Sequence, residues 1–167
     1  MGNEKHILSI LVDNEPGVLS RIAGLFSGRG YNIEGLSVAQ TAENSALSRI
    51  TMVTVGDDHI IEQITKQLHK LINVITVNDL TDKAYVQREL MLIKVNAKPE
   101  QRAEILRIID IFRCRVVDVG HEHYTIEISG DEGKLEAFID LLRPMGVIET
   151  ARTGLIALTR EKKTKTK

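Results

Sequence analysis

Cysteine is nearly absent from this sequence. Cys114 is the single thiol in 167 residues, so no disulfide can form within the chain, and a reducing compartment is the expected setting. No apolar run approaches the ~20 residues that cross a bilayer, and Met1–His6 lacks an apolar signal core. These absences predict a cytoplasmic protein. Neither sign of charge is in excess: 22 Lys and Arg stand against 23 Asp and Glu, a net of −1. That balance removes the bulk electrostatic case for nucleic acid or membrane. Only residues 161–167, with four lysines, are strongly basic, and they read as a disordered, solubilising tail.

Chemistry-bearing motifs are missing too. There is no P-loop, no Rossmann glycine fingerprint, no G-x-S-x-G and no H-E-x-x-H. Cys114 sits where a helix gives way to a strand, with no base placed near it by the sequence, and reads as a small packing residue. His121 and His123 are two apart without a Cys partner and read as a turn-flanking pair rather than metal ligands. Glu132, Glu136 and Asp140 share a charged helix face, most simply a solvated one. No catalytic set, no metal site and no cofactor of its own is expected.

What is present is a clear alternation. A hydrophobic fraction of 43% and a charged fraction of 27% are those of a globular protein. In the first half, strands are predicted near residues 5–13, 31–40, 47–55 and 74–80. A helix over 17–29 and another after Asp57 separate them, the latter with Ile60, Ile61, Ile64, Leu68 and Leu71 on one face. The order is βαββαβ, an α+β ferredoxin-like unit. The second half repeats it. Strands are predicted at 90–95, 115–119, 124–128 and near Val147–Ile148, with a helix opening at Pro99 and another capped by Asp131. Two consecutive domains follow: 1–80 and 87–160, joined by a linker over 81–86. In the first strand both alternating faces are apolar, Leu8, Ile10 and Val12 on one and Ile7 and Leu11 on the other. Two helices cover one face of such a sheet, so the other predicts self-association.

The loop Asp13-Asn14-Glu15-Pro16-Gly17 between the first strand and helix has features of a ligand site. Gly17 lets a ligand approach the backbone, and a helix start offers unpaired N–H groups with partial positive charge. A small carboxylate suits such a junction. Asn14, and Asn32 at the start of the second strand, can each donate and accept. Val18, Leu19 and Val38 are nearby aliphatics. Together these meet the needs of a zwitterion: donors, acceptors and an apolar pocket. Alternation slips after Ile33, and Gly35 is a natural bulge there.

The stretch Asn14-Glu15-Pro16-Gly17-Val18-Leu19-Ser20-Arg21, followed by Gly24 to Glu34, closely resembles the ACT domain of the regulatory (small) subunit of acetolactate synthase. Leu47–Thr51, Gln63–Leu71, Arg88–Val95 and Ala151–Gly154 are similar to the same family. The resemblance runs to about residue 160. It implies that the first domain is an ACT domain, that ACT domains pair as homodimers, and that effector sites form at the pairing interface. It implies a catalytic large subunit as partner, activated by this chain and made sensitive to feedback inhibition by branched-chain amino acids, usually valine. Thiamine diphosphate, FAD and magnesium are then expected in that catalytic subunit. By motif match Asn14, Gly17 and Asn32 become effector contacts, with Pro16, Val18, Leu19, Ile33 and Val38 around them. The alternative is a free-standing amino-acid sensor acting on transcription, for which no helix-turn-helix is evident. A small hydrolase of the acylphosphatase kind is disfavoured, because acidic Asp13 and Glu15 stand where a phosphate loop would need arginine.

Overall fold

The computed structural model describes residues 4–161. The chain forms two compact units: one comprises the residues up to Val86 together with the segment from Leu155 onward, the other is Gln87–Gly154. In the first unit the order is β1 (Glu4–Asp13), α1 (Val18–Ser27), β2 (Ile33–Gln40), β3 (Leu47–Gly56), α2 (Asp58–Leu68) and β4 (Val74–Asp79). Its sheet runs β2-β3-β1-β4, with all neighbours antiparallel. This is the ferredoxin-like arrangement that the alternation predicts.

One face of β1 explains the fold. Leu8, Ile10 and Val12 recur at the strand period and meet Ile22 and Phe26 of α1 and Ile61, Ile64 and Leu68 of α2 in one core. Each such side chain contributes about 1.5–3 kcal/mol on burial. Asp57 caps α2, accepting the Ile60 N–H at 2.8 Å. The register between β2 and β3 shifts between Ile33 and Gly35, where the phase of the apolar residues slips.

The opposite face of that sheet is covered in part by the chain itself. Ile7 and Val53 pack with Leu80, Leu155 and Ala157, and Tyr85 lies against them. Leu155 and Ala157 belong to or adjoin β9 (Ile156–Thr159), and the Arg160 N–H donates to the Ala84 carbonyl at 2.8 Å. This corrects two boundaries read from sequence. Residues 155–160, assigned to the domain 87–160, fold with the first unit because their apolar side chains fill its second face. The linker 81–86 is shorter than expected, since Tyr85 and Val86 are already strand.

The second unit contains most of β5 (Tyr85–Asn96), then α3 (Arg102–Phe112), β6 (Arg115–Val119), β7 (His123–Gly130), α4 (Glu132–Leu142), a 3-10 turn (Arg143–Met145) and β8 (Val147–Arg152). Its sheet order is β6-β7-β5-β8. Asp131 caps α4 as expected, accepting the Lys134 N–H at 2.9 Å. Pro99 does not open α3; it sits in a turn, and the helix begins three residues later. Arg113 ends that helix in the left-handed region, φ 54°, a position no glycine announced. Met91, Ile93, Ile126, Ile105 and Phe138 form the second core, with Phe112 and Phe138 rings 5.3 Å apart. Glu89, nearly buried, is held by Arg152 through Nε at 3.0 Å and Nη2 at 2.8 Å, while Nη1 reaches Glu136 at 3.1 Å. Among the described residues no helix is long and apolar enough to cross a membrane. The basic tail lies outside the described residues beyond Glu161.

Candidate effector site

The β1–α1 junction is a type II turn. The Val18 N–H donates to the Glu15 carbonyl at 3.3 Å across Pro16 and Gly17. Gly17 has φ 85° and ψ −8°, the values the third turn position requires, and Pro16 presets the second. No side chain caps α1. The first-turn N–H groups of Leu19 and Ser20 therefore lack the intrahelical acceptor that later turns have.

Asn14 is tied to the hairpin between β2 and β3. Its backbone N–H donates to Ala46 at 2.7 Å, its Nδ2 to the Ser45 carbonyl at 3.1 Å, and its Oδ1 accepts from Ser48 Oγ at 3.1 Å. Asn32 is also held locally: Nδ2 donates to Glu34 at 2.6 Å, and its carbonyl accepts from Thr54 Oγ1 at 2.7 Å. Of the aliphatic residues, Val18 is 4% exposed and belongs to the core, so it is not open to a ligand. Ile33 is half-buried against that core. Leu19 and Val38 are 40% and 42% exposed.

The structure brings Asn14, Pro16, Gly17 and Leu19 together, and sets Asn32 and Ile33 apart from them. Asp13 pairs with Leu47 at the start of β3, whereas Ile33 pairs with Thr54 near its end. Seven strand residues separate these points, roughly 20 Å. One chain cannot place both asparagines on one small ligand.

Two further residues sit at the loop that sequence reasoning did not pick out. Asn73, buried in the α2–β4 connection, accepts from Arg21 Nη1 at 2.7 Å and donates Nδ2 to Asp13 at 3.2 Å and Glu15 at 3.1 Å. Arg21 is legible after the fact, being four residues and one helical turn beyond Gly17. Asn73 is not, because nothing local links it to a loop some 60 positions earlier. Elsewhere, His121 lies in a turn and His123 in β7, and no group of three or more potential ligands for a metal occurs among the described residues.

The βαββαβ unit with its uncapped, glycine-opened helix start is of the ACT class, and a second unit of like topology follows it. Residues 8–76 match the model of the AHAS small subunit-like ACT domain, and residues 88–161 that of the small subunit of acetolactate synthase. The chain is 52% identical to the probable acetolactate synthase small subunit of Archaeoglobus fulgidus over 95% of its own length and 99% of that protein's. It is 48% identical to the isozyme 3 small subunit of Escherichia coli, covering 93% and 96% of the two chains. The crystal structure of the small subunit from Thermotoga maritima superposes with a TM-score of 0.86 at 42% identity, covering 95% and 99%. The chain belongs to the family of acetolactate synthase small subunits, the regulatory partners of that enzyme.

Proposed function

We propose that this chain is a non-catalytic subunit that binds the catalytic subunit of acetolactate synthase, raises its activity, and confers feedback inhibition by a branched-chain amino acid, valine first. The thiamine diphosphate, FAD and magnesium of the reaction then reside on the catalytic subunit. The observation that carries this reading is the Glu15–Val18 turn: it leaves the start of α1 open and uncapped, in a chain that aligns over its length with small subunits.

The separation of Asn14 from Asn32 supports a site shared by two copies. Among the described residues β2 is an edge strand that pairs with β3 alone. Antiparallel pairing of β2 with β2 of a second copy about a two-fold axis carries Asn32 of that copy toward the Gly17 end of the first. Leu19 and Val38, exposed in the single chain, then gain a partner surface. The effector carboxylate meets the first-turn N–H groups near Gly17, and the asparagines supply hydrogen bonds from both chains. Effector binding thereby stabilises one pairing of the ACT units, and the catalytic subunit responds to that pairing.

Reconstitution tests the reading. Adding the chain to the catalytic subunit is expected to raise acetolactate formation, and valine to lower it again. Unchanged activity with the chain bound, or activation that valine, leucine and isoleucine all leave untouched, contradicts it.

A further inference from the structure

We infer that Arg21 recognises the carboxylate of the effector and that Asn73 positions it; this rests on the reading that the β1–α1 loop binds a branched-chain amino acid. The Arg21 backbone N–H donates to the Gly17 carbonyl at 3.0 Å, one helical turn beyond the glycine. Nη2 lies 3.8 Å from the point a Cβ on residue 17 would occupy, and no other non-neighbouring atom comes within 4 Å of that point. The absent side chain of Gly17 thus leaves a space bordered by a cation. Nη1 is already engaged by Asn73 Oδ1, while Nη2 has no partner among the described residues.

Asn73 makes this arrangement specific. It is 8% exposed and comes from outside the loop. Its Nδ2 holds Asp13 Oδ2 and Glu15 Oε2, its Oδ1 holds Arg21, and its backbone carbonyl accepts the Asp13 N–H at 2.9 Å. An arginine left free beside two carboxylates would fold onto them. The buried amide instead stands between, keeping cation and carboxylates on separate sides. The result is a charge-separated pair matched to a zwitterion. Nη2 and the first-turn N–H groups face a carboxylate, and the free lone pairs of Asp13 and Glu15 face an ammonium. Arginine suits the role because its planar fork can serve Asn73 and a ligand at once.

The test uses the full-length chain and calorimetric titration with L-valine, L-leucine and L-isoleucine, and with L-valinamide, which keeps the ammonium and side chain but lacks the carboxylate. Arg21→Gln is expected to weaken the bound amino acid by roughly tenfold or more and to leave valinamide nearly unaffected, with Arg21→Lys intermediate. Asn73→Ala should weaken the amino acid on the wild-type background and by a smaller factor on the Arg21→Gln background, where only its hold on Asp13 and Glu15 is left to lose. Arg21 is exposed, so its variants are expected to fold, which circular dichroism checks. Wild-type affinity in Arg21→Gln overturns the inference and leaves the proposed function standing. Absence of binding by the wild-type chain to all three amino acids overturns both.

Discussion

Gly17 holds φ 85° with its missing Cβ facing Arg21. Aspartate there cannot act as an ordinary N-cap, because the capping conformation lies in the extended region and this turn lies in the left-handed one. Its carboxylate is placed instead to pair with Arg21 within the chain, where an effector carboxylate should bind. Gly17→Asp is therefore expected to destabilise the fold by about 1 kcal/mol through backbone strain and to shift valine inhibition upward by roughly tenfold or more. Gly17→Ala carries the strain without the charge and should shift inhibition less. Urea denaturation reads the first effect and valine titration of the reconstituted enzyme the second; equal shifts for the two variants contradict the charge argument. Cys114 makes a separate test. Burial pushes its thiol above the ordinary range, against a weaker opposing effect of Lys134. A folded-state value above the unfolded one means stability that is full below the ordinary thiol pKa of about 8.5 and declines as pH rises past it. Alkylation by iodoacetamide at pH 8 should be slower than for a free thiol, and denaturant should abolish the difference.

At the scale of elements, β9 has the clearest consequence. A fragment ending at Val86 keeps the whole βαββαβ unit but loses Leu155 and Ala157, uncovering Ile7, Val53 and Leu80. It is expected to be less stable than the full chain by about 2–4 kcal/mol, and lengthening it does not help unless 155–160 is included. Equal urea midpoints for fragment and full chain rule this out. In the second unit, Arg152→Ala leaves Glu89 nearly buried without its cation; a loss of about 2–4 kcal/mol is expected from thermal or urea unfolding. These elements also show what the sequence could reveal. The strands and helices of both units were legible because Leu8, Ile10 and Val12, or Ile61, Ile64 and Leu68, repeat at a single clear period. β9 was not, since Leu155 to Leu158 is a short apolar run with no period, and its partners Ile7, Val53 and Leu80 lie far earlier in the chain. The type II turn could be read from Pro16-Gly17 alone. The Asn73 bridge could not, because a buried amide that joins distant segments leaves no local pattern.

For the whole molecule, the feature that bears on shared sites is the β2 edge, where Val38 is exposed, together with exposed Leu19 at the start of α1. Sedimentation at micromolar concentration is expected to give at least a dimer, with Val38→Asp shifting it toward monomer; a wild-type monomer with and without valine contradicts shared sites. The most direct test of the account is complementation between two defective chains. In the proposed pairing, Gly17→Asp and Asn32→Ala homodimers would each carry a lesion in both shared sites. Coexpressed, they form heterodimers in which one site has both lesions and the other has neither. The mixed population is expected to regain tight valine binding at up to about a quarter of the wild-type number of sites, with neither homodimer showing it. If the effector were held within one chain, every site in the mixture would remain defective, and no recovery of binding is the result that contradicts the account.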